Sequence, residues 1–198
     1  MRQNVGGAAG IKQNGKAMLL DTPICDFGRK APDFKLISHD KKVYSRDDLA
    51  GSNGLLIAFI CNHCPYVQAI ITNFVSDAQK LRNLGIQTVA IMPNDYISYP
   101  ADSPEKMGDF AMQYNFEFPY LIDKNQSVAK SYGAVCTPDF FGFNANLELQ
   151  YRGRLDNLTM SKDGTRTPEL FDAMNMIANT GRGPKSQIAS MGCSIKWK

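Results

Sequence analysis

The sequence predicts a three-layer α/β sandwich around a mixed central sheet. Three observations carry that expectation. Unbroken apolar runs alternate with segments of helical period. A turn signal, Asn144 to Asn146, separates two strand-like segments in the last third of the chain. A Cys-x-x-Cys-Pro stretch stands where the first strong apolar run meets the first strong helix. Alternating strands and helices call for parallel strands with right-handed crossovers, and the hairpin adds antiparallel ones.

Each element has its own signal. Ser45 followed by Asp48 forms a capping-box pattern that opens one helical turn, and Gly51 closes it. The run "LLIAFI", 55–60, is apolar without alternation, as a central strand covered on both faces must be. Val67, Ile70, Ile71, Phe74, Val75, Ala78, Leu81 and Leu84 then recur at helical spacing, with Gly85 placed to cap. "IQTVAIM", 86–92, predicts a second buried strand. A helix opens near Ser103 with Pro104 in its first position and buries Met107, Phe110, Ala111 and Tyr114. "FPYLID" predicts a short strand, and "NQSVAKSYG" a short helix stopped by Gly133. "DFFGF" and "LELQYRG" form the hairpin arms. The last helix starts at Thr167-Pro168 and buries Leu170, Phe171, Met174, Ile177 and Ala178. One folded domain spans 31–180, between a flexible arm (1–30) and a C-terminal tail (181–198), without internal repeat.

Bulk properties limit the function. Of 198 residues, 43% are hydrophobic and 21% charged, as in a soluble globular protein. The net charge of +3, from 22 basic and 19 acidic residues without clustering, gives no reason to expect nucleic acid or an anionic membrane as partner. The strongest apolar run, Gly54 to Cys61, is far short of the roughly 20 residues a bilayer span requires. The N-terminus lacks the apolar core of a secretory signal, so the expected location is cytoplasmic. No organic cofactor is expected. The cysteines are Cys25, Cys61, Cys64, Cys136 and Cys193, and an odd count without a signal favours reactive or metal-binding thiols over a disulfide framework.

The stretch "CNHCP" concentrates the chemistry. If Cys61 capped the following helix, Pro65 would lie fourth, where it begins to remove a useful donor. With Cys64 as the cap, Pro65 takes the first helical position, where its fixed φ helps and its missing N–H costs nothing. A thiol at that cap faces unpaired N–H groups and the positive end of the helix dipole, which lowers its pKa. Cys64 is therefore the expected nucleophile and Cys61 a resolving thiol, with Cys136 as the alternative resolver. His63, between them, is either an electrostatic support or an ordinary loop histidine. Pro138, after Thr137, precedes a strand; Cys136 lies two residues before it. Cys25 has no partner signal and reads as structural. Cys193, on the tail near Trp197, either folds over the site as a further resolving thiol or packs on the surface.

"APDF", "LLIAFI" running into "CNHCP", and "YGAVCTPDFF" before a hairpin together resemble the thioredoxin-fold superfamily. Within it they resemble the peroxiredoxin-like branch of alkyl hydroperoxide reductases and thiol-specific antioxidants, from about Ala31 to Asn179. "YPADSPEKM", "YRGRLDN" and "MGCSIKWK" are similar to a subgroup carrying a CxxCP motif. The resemblance implies that Cys64 is the reactive thiol, that Thr137-Pro138 is a cis pair facing it, and that Cys136 lies close to the Cys61–Cys64 loop. Peroxidases of the family place a proline, a hydroxyl residue and the cysteine in series, with an arginine just before a later strand. Here Ile57 and Cys61 take the first two places, Thr137-Pro138 takes that of the arginine, and Arg152 and Arg154 come further along. The expected activity is thiol–disulfide exchange on a disulfide-bearing substrate, with a thioredoxin-type reducing donor. The alternatives are a hydroperoxide-reducing thiol peroxidase and a Cu(I)- or Zn(II)-binding module using Cys61, Cys64, Cys136 and His63.

Overall fold

In the computed structural model, residues 18–161 and 163–198 are described. A seven-stranded mixed sheet runs through the centre, in the order β3-β2-β6-β5-β4-β8-β9. Its strands are β2 (Lys35–Ser38), β3 (Val43–Ser45), β4 (Gly54–Phe59), β5 (Ile86–Met92), β6 (Tyr120–Ile122), β8 (Asp139–Asn144) and β9 (Leu149–Tyr151). β4, β5 and β6 are parallel, as the strand–helix alternation requires, and β8 runs antiparallel along the other side of β4. The β8–β9 hairpin turns at the predicted Asn144–Asn146 segment, where Asn144 Oδ1 accepts the Asn146 and Glu148 N–H groups.

All six β4 residues are buried, which explains its unbroken apolar run. Leu56 and Ala58 face one core, together with α1 (Pro65–Asn83), α2 (Pro104–Gln113) and α4 (Glu169–Thr180). Leu55, Ile57 and Phe59 face the other, with α3 (Ser127–Tyr132) and the aromatic rings of Phe34, Tyr132, Phe141 and Phe143. The result is the three-layer sandwich. Each fully buried Leu, Ile or Phe contributes about 1.5–3 kcal/mol by leaving water, so β4 and α1 are among its best-anchored parts. Helix ends follow the sequence signals. Ser103 accepts the Lys106 N–H at the start of α2, and Gly133 ends α3 at φ 69°. The Ser45–Asp48 box is formed, and the turn it opens is a short 3-10 helix over Asp47–Leu49.

Two features depart from the expected layout. The segment 35–45 is an antiparallel hairpin, β2–β3, set against the far edge of the parallel strands. The described part of the arm and the tail are also not free. β1 (Leu19–Asp21) and β10 (Met191–Ser194) pair antiparallel, and β10 pairs in turn with β7 (Cys136–Thr137), giving a second sheet of order β1-β10-β7. The flexible arm expected over 1–30 therefore gives way to structure from Leu19 onward; its first 17 residues lie outside the described part. The tail is ordered because Ile195 is buried and its backbone is tied to the domain at several points. Among the described residues no helix is long and apolar enough to cross a membrane.

Candidate active site

β4 delivers the chain into a loop whose residues Cys61 and Cys64 are 1% and 0% exposed. Cys64 occupies the N-cap of α1 with extended backbone (φ −71°, ψ 121°), and Pro65 is the first helical residue. Across from it, Thr137-Pro138 is a cis peptide between β7 and β8. Cys64 Sγ lies 3.1 Å from the Thr137 carbonyl, to which it donates only while protonated, and Cys61 Sγ lies 3.3 Å from the Thr137 hydroxyl. One threonine thus touches both thiols of the CxxC pair. The cysteines themselves are all free.

The two sulfurs of the pair titrate in opposite directions. Cys64 is drawn down to about 5. The main cause is the Cys61 S–H, which hydrogen-bonds to the Cys64 thiolate; the Val67 N–H at the helix start and the backbone and thiol of Cys193 add to it, against the cost of burial. Cys61 is held well above an ordinary thiol, first because its proton is engaged by Cys64, then by burial and by the Asp102 carboxylate. At neutral pH this describes a thiolate at Cys64 and a thiol at Cys61.

Beneath the loop lies a polar network that sequence reading missed. Asp102, fully buried at the end of a 3-10 turn (Pro100–Asp102), accepts the Asn62 N–H at 2.8 Å and the Asn94 amide at 2.9 Å. Its Oδ2 lies 2.8 Å from His63 Nδ1, at ion-pair distance but out of line for a good hydrogen bond. His63 stacks flat on Tyr99, with ring centres 5.9 Å apart, and Asp102 raises its pKa. The Asn62 side chain accepts from the Tyr120 hydroxyl at 3.0 Å and donates to the Ala101 carbonyl. The signal for Asp102 was the stretch "YPADSPEKM"; nothing local to it indicated that its carboxylate would turn inward.

The remaining predicted residues divide. Cys193 on β10 stands opposite Thr137 in register and packs against the core cluster that includes Cys61 and Cys64. Cys136, next to Thr137 along β7, points to the other face, as strand alternation requires. Its Sγ lies 3.5 Å from the Pro138 carbonyl, and burial pushes its thiol far up. Of the two candidate thiols outside the CxxC loop, Cys193 is the one packed against the core cluster of Cys61 and Cys64. Cys25 is half-buried and remote, raised to about 11 by burial. Arg152 is buried against Asp139 at 2.9 Å and over the Phe141 ring, while Arg154 pairs with Glu169, so both guanidinium groups are already engaged. Among the described residues the one cluster of potential metal ligands is Cys61, His63 and Asp102, with ligand atoms within 4.8 Å of one another. Cys136 is not part of it, and both Asp102 oxygens already accept hydrogen bonds from asparagine and backbone donors.

Residues 27–153, carrying β4, α1 and the cis-proline strand, match the model of the AhpC/TSA family. The chain belongs to that family. It is 26% identical over 117 residues to a putative peroxiredoxin bcp of Coxiella burnetii, covering 59% of this chain and 72% of that protein. Two solved structures are similar over nearly their whole length. An uncharacterized conserved protein from Geobacillus kaustophilus superposes with a TM-score of 0.87 at 38% identity, covering 92% of this chain and 98% of the other. A hypothetical protein from Sinorhizobium meliloti 1021 gives 0.85 at 34% identity, covering 90% and 97%. This AhpC/TSA member is a thiol-dependent oxidoreductase on a thioredoxin-like fold.

Proposed function

We propose that this AhpC/TSA member exchanges disulfides, with Cys64 as the nucleophile. The observation that carries the reading is the placement of Cys64 at the N-cap of α1, where the Cys61 S–H stabilises its thiolate and the Thr137 main chain lies against it. The thiolate attacks one sulfur of a substrate disulfide. A bond forms from Cys64 to that sulfur, and the other sulfur leaves with the electron pair. A second thiol then attacks Cys64 Sγ, closes an internal disulfide and expels the remaining substrate thiol. Cys61, in the same loop, and Cys193, on the strand paired with Thr137, are the candidates for that second thiol. Strand alternation sets Cys136 on the opposite face of β7 from Thr137. Thr137 and Pro138 shape the wall beside the sulfur, and Pro65 fixes the helix start that polarises it. An external dithiol of thioredoxin type reduces the internal disulfide.

Disulfide exchange is favoured over peroxide reduction by two features. Cys61 occupies the place where the family's peroxidases carry a hydroxyl residue, and Arg152 and Arg154 are bound to Asp139 and Glu169 instead of facing the thiol. The test mixes reduced protein with one equivalent of a disulfide-linked peptide or of hydrogen peroxide and follows Cys64 by mass spectrometry. Stoichiometric consumption of the peptide disulfide, lost in Cys64→Ser, is expected, with peroxide reacting no faster than with a free thiol. Rapid sulfenic acid at Cys64 together with inertness to the disulfide would replace this reading with a peroxidase.

A further inference from the structure

The C-terminal strand gives the site a feature that disulfide exchange alone does not require. β10 lies directly on β7, with Cys193 paired to Thr137 and Ser194 to Cys136. The approach is close enough that a Cβ at Gly192 would meet the Thr137 carbonyl oxygen at 2.2 Å, so a glycine is needed there. On both sides the tail is tied down. Before β10, Ser190 donates to the Pro138 carbonyl and exchanges hydrogen bonds with Thr22. After it, the Lys196 N–H donates to the Asn94 side-chain oxygen, the Lys196 carbonyl accepts the Asp95 N–H, and the Lys198 N–H donates to the Gln126 side chain. These contacts hold β10 in one register.

We infer that Cys193, carried by this anchored strand, is the resolving thiol, and that Cys61 serves to hold the Cys64 thiolate. The inference rests on the disulfide-exchange reading above. Cys64 is wholly buried with β10 against it, so the strand yields when a substrate disulfide arrives and brings Cys193 back against Cys64 once the mixed disulfide has formed. Cys193 then attacks Cys64 Sγ: the Cys64–Cys193 bond forms, the bond from Cys64 to the substrate sulfur breaks, and the electron pair leaves on the substrate thiolate, which takes the proton Cys193 gave up. Held in register, this step is effectively unimolecular. The product also suits the last step. Cys193 is only half-buried whereas Cys61 is closed off, so an external dithiol can attack Cys193 Sγ and release Cys64. A low-pKa thiol leaves fastest, and Cys64 is the thiol held low. Before the mixed disulfide forms, burial and the Cys64 anion keep the Cys193 thiol protonated, at about 11; the second of these influences ends when Cys64 loses its charge.

The experiment treats the full-length reduced protein with one equivalent of oxidised glutathione, quenches with acid, and maps the linked cysteines. The native protein and Cys61→Ser are both expected to carry a Cys64–Cys193 disulfide. In Cys193→Ser, glutathione is expected to accumulate on Cys64, with turnover under a dithiol reductant reduced at least about tenfold. A Cys61–Cys64 disulfide in the native protein, or Cys193→Ser turning over within twofold of native, would overturn the inference while leaving Cys64 as nucleophile. Absence of any modification at Cys64 in all three proteins would instead remove the disulfide-exchange reading and this inference with it.

Discussion

The two sides of the site are built in different ways. The 61–64 loop is one contiguous segment: β4 ends, the chain turns, and α1 begins at Pro65. Its chemistry follows from a helix start and a neighbouring thiol three residues away. The cover over it is assembled from distant parts of the chain: β1 near one end, β7 in the middle and β10 at the other. The reactivity of Cys64 is thus set locally, whereas access to it is set by long-range pairing. The two properties should respond to different substitutions.

The largest separation is expected from the cover. Gly192→Val forces a side chain into the Thr137 carbonyl and lifts β10 from β7. Overpacking of this kind costs about 1–3 kcal/mol, read as a lower unfolding midpoint in thermal denaturation. Alkylation of Cys64 by a bulky maleimide should accelerate, because its thiolate survives while its cover does not. An unchanged alkylation rate would mean that β10 does not limit access. Next comes the loop itself. Cys61→Ala removes the S–H that most lowers Cys64, so the Cys64 pKa should rise while the fold and the β10 pairing stay. The pH profile of disulfide consumption by this variant should therefore shift toward alkaline pH. The smallest effect falls on the network below. Asp102→Asn withdraws the anion that raises His63, and the His63 titration followed by NMR should move down. Because the folded pKa of His63 is raised, its coupling to Asp102 stabilises the fold fully below about pH 6.5, the unfolded value. That contribution is lost as pH rises through the folded value, and the variant should be less sensitive than the native protein across that window.

The same local and non-local division governs what could be read from the sequence. The buried strands β4 and β5 were legible because strands covered on both faces carry unbroken apolar runs. Cys64 was legible as the helix cap because Pro65 fits only one helical register well. The β8–β9 hairpin announced itself through Asn144–Asn146. β1 and β10 were not legible, since Leu19–Asp21 and Met191–Ser194 are short, partly exposed and stabilised by each other. The β2–β3 hairpin was hidden by its polar turn and three- to four-residue strands. Cys136 was drawn toward the site by its nearness to Pro138, but β-strand alternation turns it away and gives the place beside Cys64 to Cys193. Asp102 escaped because an acid just before a helix reads as a surface residue until its three partners are seen around it.

The central claim is that Cys64 is a thiolate at neutral pH, and it is tested most directly by a pH titration of thiolate ultraviolet absorbance. Reduced native protein and Cys64→Ser would be compared, a measurement that needs no reagent to enter the buried site. One thiolate titrating near pH 5 in the native protein, and missing from Cys64→Ser, is the predicted result. If Cys64→Ser removes only a step in the ordinary thiol range, about pH 8.5, the account of Cys64 as an activated nucleophile is contradicted.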